Sequence, residues 1–170
     1  DDKEGKKYHK AYFSKFKNIW HHGDFVEQTT NNGFVIKGRS DTTLNPGGVR
    51  IGTAEIYQQV ENIEFITEGL VVGQNYNDDV RVILFVTTKD NIELNQESIK
   101  LIKNKIRKNC SPKHVPALII KTPEIPRTKS GKIVELAVRK LINGEELNNE
   151  EAIANPQSLN FFKNLSELKN

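Results

Sequence analysis

The fold is constrained most by two apolar segments joined by a polar turn. Leu70 to Gly73 and Arg81 to Thr87 flank the run Asn75-Tyr76-Asn77-Asp78-Asp79, a pattern typical of two strands paired around a turn. A third apolar segment, Leu118 to Lys121, has the length of a further strand. The chain is therefore expected to build a sheet of about three strands.

Three segments with helical features accompany these strands. Thr53 can cap a helix that runs to Val60. A half-polar helix is predicted over residues 96–109, where isoleucines recur on one side. Ile133 to Ile142 carries apolar residues at helical spacing and ends at Asn143-Gly144, a common helix stop. Three helices and about three strands indicate an α+β or α/β sandwich.

The first 40 residues have a different pattern. Aromatic and apolar residues from Tyr12 to Trp20 recur at spacings of three and four, which suggests a short helix or turn. Phe25 to Glu27 and Phe34 to Lys37 then flank a polar turn ending in Asn32-Gly33, a strong hairpin signal. A β-hairpin is therefore expected before the sandwich, and residues 146–170 are expected to follow it as a polar tail with one apolar patch.

Composition excludes several classes of protein. A single cysteine and four scattered histidines argue against a disulfide framework and a structural zinc site. The net charge of +3 is spread over interspersed residues of both signs, so no nucleic-acid partner is expected. The apolar runs are too short to span a membrane and the N-terminus has no signal-peptide pattern. A cytoplasmic protein without a membrane partner is expected.

Three polar clusters lie at breaks between these elements, where side chains can reach a ligand. Asp24, at a strand start, could accept hydrogen bonds from two sugar hydroxyls, but it could also cap a turn. Arg39 and Asp41 bracket the hairpin exit, and a surface ion pair explains them as well. The basic loop from Thr128 to Lys132 could hold phosphate, although it lacks the upstream glycine and the spacing of a P-loop. Taken singly, none of these clusters decides a function.

Three motifs taken together carry a family resemblance. WHHGDF at 20–25, GRSDTTLNPGGVRIGTAEIY at 38–57 and PRTKSGKI at 126–133 resemble, in the same order, the late signature motifs of the superfamily of acyl-CoA synthetases, non-ribosomal peptide adenylation domains and luciferases. The spellings HGDF and GGVRIGTAEIY, with the late segment NPQSLNFF, are more similar to the acetoacetate branch of that superfamily than to the acetate branch. The resemblance implies an ATP-dependent acid-thiol ligase, with acetoacetate as its acid.

Four residues match nucleotide-handling positions of the superfamily. The resemblance implies that Asp24 and Arg39 bind the ribose of ATP and of the acyl adenylate. It implies that Arg50 meets nucleotide phosphate, and that Lys132 enters the active site to promote adenylation. A lysine ammonium is a mobile point charge suited to the negative charge that develops when a carboxylate attacks the α-phosphate of ATP.

The remaining matches concern coenzyme A and a hinge. Gly47 and Gly48 fall where the backbone approaches the pantetheine thiol, and Arg107 falls where an arginine contacts the phosphates of CoA. Asp41 matches the residue about which a small lid domain turns between the two half-reactions. Thr42 departs from the pattern, because relatives often carry a second acidic residue there.

The resemblance also implies a domain plan. Residues 1–40 would be the end of a large N-terminal AMP-binding domain, residues 41–145 the C-terminal lid, and 146–170 the tail. The adenine and acyl pockets would lie in the missing N-terminal domain. The expected partners of this chain are therefore that domain and the small-molecule substrates. Mg²⁺, expected with ATP, would bind outside this chain, and the chain itself is predicted to hold no metal site. The 170 residues alone are predicted to be inactive.

Two alternatives stay open. The acid could be another short-chain acid, such as acetate or propionate, since the acyl pocket is not in this chain. The chain could also be a non-catalytic module that keeps the lid fold for anion or protein binding. Retention of Asp24, Arg50 and Lys132 at family spacing favours the enzyme.

Overall fold

The computed structural model describes residues 2–89, 92–147 and 150–169, which form two compact units. The first unit ends at Asp41 and the second begins at Thr42. The first contains a short helix α1 (Lys6–Tyr12) and a hairpin of β1 (Asp24–Gln28) and β2 (Phe34–Arg39).

Helix α1 lies earlier than the helical spacing from Tyr12 to Trp20 suggests. The Asp2 carboxylate accepts hydrogen bonds from the backbone N–H groups of Lys7 and Tyr8, at 3.0 and 2.8 Å, which stabilises the first turn. The chain leaves helical geometry after Tyr12. The Tyr12 ring stacks on the Trp20 ring, with the two centroids 5.4 Å apart. The periodic aromatic residues therefore pack as a turn.

The hairpin begins and ends on charged residues. Strands β1 and β2 are antiparallel, with Asp24 opposite Arg39, and the turn between them contains Asn32 at φ +58°. The predicted hairpin is confirmed, and it brings two candidate site residues to the same end.

The second unit contains a three-stranded sheet in the order β3 (Ile66–Tyr76), β4 (Asp79–Thr88) and β5 (Leu118–Lys121). The first two strands are antiparallel around a turn in which Asn77 and Asp78 both have positive φ. This is the backbone that two-residue hairpin turns favour. Strand β5 runs parallel to β4.

Three helices cover the sheet. Helices α2 (Thr53–Val60) and α3 (Gln96–Asn109) contribute to one core, which includes Val71 and Leu84. Helix α4 (Glu135–Ile142) contributes to a second core, which includes Leu70, Val72, Ile83 and Phe85. Neighbouring strand residues thus alternate between the two cores, as strand geometry requires. The predicted α+β class, with three strands and three helices after a hairpin, is confirmed.

The C-terminal segment is more than a polar tail. Its 3-10 turns include Pro156–Phe162 and Ser166–Leu168. Leu159, Phe162 and Leu168 are buried, and Phe162 meets Phe85 edge to face at 4.8 Å. Burial of such side chains stabilises the fold by about 1.5 to 3 kcal/mol each. No helix in the described ranges has the length and apolar character needed to cross a bilayer.

Candidate active site

An ion-pair cluster occupies the open end of the hairpin. The Arg39 guanidinium donates to both carboxylate oxygens of Asp41, from Nε at 3.1 Å and from Nη2 at 2.8 Å. Its Nε also lies 3.9 Å from Oδ1 of Asp24. The hydrogen bond to Asp41 raises the pKa of Arg39 above its ordinary value, against the opposing effect of burial. The structure thus brings the predicted residues Asp24, Arg39 and Asp41 together.

Asp24 is held by its neighbours in a nearly enclosed position. Only 14% of its side chain is exposed, and one carboxylate oxygen shares a hydrogen bond with Nδ1 of His22. Gly23 between them has φ +90°, and a Cβ built there would lie 3.5 Å from Nη2 of Arg39. That distance is an ordinary van der Waals contact, so the positive φ is what favours glycine at this point.

The glycine turn, Pro46–Gly48, is the second candidate feature. Both glycines have positive φ, +58° and +76°. The backbone N–H of Gly47 donates to both carboxylate oxygens of Asp79, at 2.9 and 3.0 Å. The ends of the loop are joined by a bridge between Leu44 and Ile51. The turn is therefore fixed at its base and at its tip.

The two other arginines of the predicted site lie at exposed positions of the second unit. Arg50 is exposed directly before the buried Ile51. Arg107 is exposed in the last turn of α3. Exposed guanidinium groups on a folded support are suited to binding phosphate.

Lys132 closes a tight turn. The backbone N–H of Thr128 donates to the Lys132 carbonyl at 2.8 Å, and the Lys132 N–H donates to the Thr128 hydroxyl at 3.1 Å. Gly131, at φ +83°, permits the reversal. The Lys132 side chain is exposed. The predicted catalytic ammonium therefore projects from a closed loop.

Residues distant in sequence fix this loop. Arg127 donates from Nη1 to the Gly131 carbonyl at 2.6 Å, and its Nη2 pairs with Glu68 of β3 at 2.5 Å. Asn155 accepts from the Arg127 N–H at 2.9 Å and donates to the Ile125 carbonyl at 3.1 Å. The C-terminal segment thus supports the backbone on which Lys132 sits.

The sequence motifs contain the predicted site residues but miss several residues that hold them in place. The residues missed are His22, Glu68, Asp79, Lys113 and Asn155. His22 lies inside a recognised motif and could have been found there. The other four lie beside partners that are 28 or more residues away in sequence, as Lys113 lies beside Gly47. Local sequence patterns carry no signal for such pairs. In residues 2–89, 92–147 and 150–169, no group of three or more His, Cys, Asp or Glu side chains is arranged to hold a metal ion.

Comparisons with known proteins agree on one kind of enzyme. The chain is 57% identical over 169 residues to the acetoacetyl-coenzyme A synthetase of Rhizobium meliloti, which covers 99% of this chain and 26% of that protein. It is 48% identical over 172 residues to the acetoacetyl-CoA synthetase of Xenopus tropicalis, again covering 26% of that protein. No family model matches.

Solved structures give the same result. The acetoacetyl-CoA synthetase from Streptomyces lividans superposes with a TM-score of 0.88 at 38% identity, over 98% of this chain and 25% of that one. The anthranilate CoA ligase in complex with anthranoyl-AMP superposes with a TM-score of 0.69 at 20% identity, over 79% of this chain and 26% of that one, which shows a common fold. The chain spans about a quarter of the length of the curated relatives it matches, in their C-terminal portion.

Proposed function

We propose a function from the premise that this chain belongs to the acetoacetyl-CoA synthetase family and corresponds to the C-terminal quarter of its members. The chain is the mobile lid of a ligase that joins acetoacetate to coenzyme A through an acyl adenylate. The observation that carries the proposal is the pairing of two fixed loops on one compact unit. The glycine turn and the Lys132 loop are each tied down by distant residues, so one body can present either loop to a reacting centre.

The Lys132 loop is proposed to serve the first half-reaction. A carboxylate oxygen of acetoacetate attacks the α-phosphorus of ATP, and the bond from that phosphorus to the bridging oxygen of pyrophosphate breaks. Negative charge develops on the departing pyrophosphate and on the phosphoryl oxygens. The exposed Lys132 ammonium stabilises that charge, with Arg50 meeting phosphate. Asp24 and Arg39 hold the ribose.

The glycine turn is proposed to serve the second half-reaction. The thiol of CoA attacks the acyl carbon of the mixed anhydride, AMP leaves, and the thiol proton is lost. Gly47 and Gly48 both have positive φ, which glycine adopts without strain. Because glycine has no Cβ, the backbone of this turn can approach the pantetheine arm. Arg107 binds the phosphates at the nucleotide end of CoA.

The switch between the two steps is proposed to occur at Asp41. The boundary between the two compact units falls directly after this residue, which supports a hinge there. A hinge needs a few backbone torsions that change while the bodies on either side keep their shape. Mg²⁺ is proposed to accompany ATP and to bind outside this chain. Because acetoacetate is a ketone body, the ligase would act in lipid metabolism.

Substrate selection in the full-length enzyme tests the proposal. ATP-pyrophosphate exchange should be fastest with acetoacetate and much slower with acetate or propionate, and CoA should be consumed in the presence of the favoured acid. A preference for acetate or propionate would reassign the acid. Absence of exchange with all three acids, together with no thermal shift on adding CoA or AMP, would favour a non-catalytic module and contradict the proposal.

A further inference from the structure

A carboxylate and an ammonium flank the glycine turn, and no sequence motif includes either of them. Asp79 is the first residue of β4, directly after the two-residue turn of the β3–β4 hairpin. Both of its carboxylate oxygens accept the backbone N–H of Gly47, 32 residues earlier in the chain. The tip of one hairpin therefore holds the tip of another loop.

The bond between Asp79 and Gly47 is electrostatically favoured. The N–H groups of Val80 and Gly47 lower the pKa of Asp79 below its ordinary value, and the positive charge of Lys113 lowers it further. A carboxylate that accepts backbone N–H groups makes a charge-assisted hydrogen bond, which is stronger than a neutral one. Asp79 is therefore ionised, and able to accept, at neutral pH.

The exposed side chain of Lys113 also lies beside Gly47. Its ammonium occupies the space into which a Cβ on Gly47 would project. A Cβ on Gly48, by contrast, would meet nothing within 4 Å. Gly47 therefore has the polar ends of Asp79 and Lys113 beside it, whereas nothing lies near the position of a Cβ on Gly48.

We propose that Asp79 is a positioning residue for thioester formation, which fixes the Gly47 side of the turn so that the Gly48 side is held ready for the pantetheine arm of CoA. This inference rests on the proposed function. Asp79 acts through its hydrogen bonds with the backbone N–H of Gly47, and the Lys113 ammonium lies beside the same residue. Without the Asp79 carboxylate the two glycines keep their positive φ values, but the turn loses the hydrogen bond from the Gly47 N–H that fixes its orientation on the unit.

The test uses the full-length enzyme with Asp79→Ala, Asp79→Asn and the control Asp78→Asn. Asp78 is the adjacent exposed residue of the hairpin turn, and asparagine tolerates its positive φ. ATP-pyrophosphate exchange reports adenylation, and CoA consumption with synthetic acetoacetyl-AMP reports the thioester step. Asp79→Ala should raise the KM for CoA roughly two- to tenfold, the range set by a single hydrogen bond, and leave exchange unchanged. Asp79→Asn, which keeps an acceptor oxygen, should recover part of the loss, and Asp78→Asn should match the parent enzyme.

Equal losses in both half-reactions, or the same effect from Asp78→Asn, would assign Asp79 a general structural role and overturn the inference. An unchanged KM for CoA in both Asp79 variants would overturn it too. Lys132→Ala in the same assays separates this failure from that of the proposed function. If Lys132→Ala slows exchange alone while both Asp79 variants behave like the parent, only the inference fails. If Lys132→Ala leaves exchange unchanged, the proposed function fails as well.

Discussion

At the scale of single residues, Arg107 can be removed with little cost to the fold, because its side chain is exposed on the last turn of α3. We expect Arg107→Ala to raise the KM for CoA roughly tenfold to a hundredfold, the range for a hydrogen bond to a charged group. Adenylate formation should not change. Lys100→Ala is the matched control, since Lys100 lies about two turns earlier on the same side of α3. Unchanged CoA kinetics in Arg107→Ala would remove this residue from the site.

The ionisation of Tyr57 is strongly perturbed by its surroundings. Burial raises the pKa of its hydroxyl well above the ordinary value, and the negative charge of Glu135 raises it further. The hydroxyl donates to Glu135, and its oxygen accepts the Val71 N–H at 3.1 Å. The folded chain thus keeps this proton at a pH where the unfolded chain releases it.

Stability should therefore fall as pH rises above about 10, the ordinary tyrosine pKa. Urea unfolding of the chain between pH 8 and 11 measures this slope. Tyr57→Phe should flatten it, and should lower the unfolding free energy at neutral pH by about 1 to 3 kcal/mol because the Val71 N–H loses its acceptor. Parallel pH profiles for the parent and Tyr57→Phe would show that the tyrosine keeps an ordinary pKa in the fold.

At the scale of elements, the Lys132 loop depends on the C-terminal segment. We expect Asn155→Ala to lower the unfolding free energy of the chain by about 1 to 3 kcal/mol, because the Arg127 N–H and the Ile125 carbonyl both lose a partner. Asn160→Ala is the control, since the exposed side chain of Asn160 accepts a 3.3 Å bond from the Lys163 ammonium on the surface. Chemical denaturation of both variants makes the comparison. Equal stability of the two would mean that Asn155 does not support the loop.

The elements that periodicity describes well were predictable. Helix α3 and strand β5 begin and end where the apolar spacing places them. Strand β3 extends beyond its predicted apolar stretch to include Glu68 and Gln74. Pairing with β4 stabilises the extended backbone at these polar residues, whose own preference for strands is low. The packing of the C-terminal segment was not predictable, since Phe162 meets Phe85 across 77 residues of sequence. The motifs likewise located Lys132 and Gly47 but not the residues that hold them.

At the scale of the whole molecule, the proposed hinge separates two units that are each compact. Proline fixes φ and removes a backbone donor, so Asp41→Pro should restrict rotation at this point beyond the loss of the Arg39 ion pair, which Asp41→Ala also removes. In the full-length enzyme a burst of adenylate should persist while steady-state thioester production falls. Quenched-flow measurement of acyl-AMP beside steady-state CoA consumption distinguishes the two. Equal loss of burst and steady state would place the hinge elsewhere.

We propose that one unit serves two half-reactions with different loops, and Lys132→Ala is the decisive test. An ammonium about 4 Å from a developing phosphate charge, at an effective dielectric of about 20, stabilises it by about 4 kcal/mol, or roughly a thousandfold in rate. Lys129 is an exposed lysine of the same loop, so Lys129→Ala controls for the loss of one positive charge. ATP-pyrophosphate exchange and CoA consumption with synthetic acetoacetyl-AMP should be measured in the full-length enzyme. We expect Lys132→Ala to slow exchange by about that thousandfold and to spare the thioester step; equal slowing of both steps would show that the two loops do not divide the half-reactions between them.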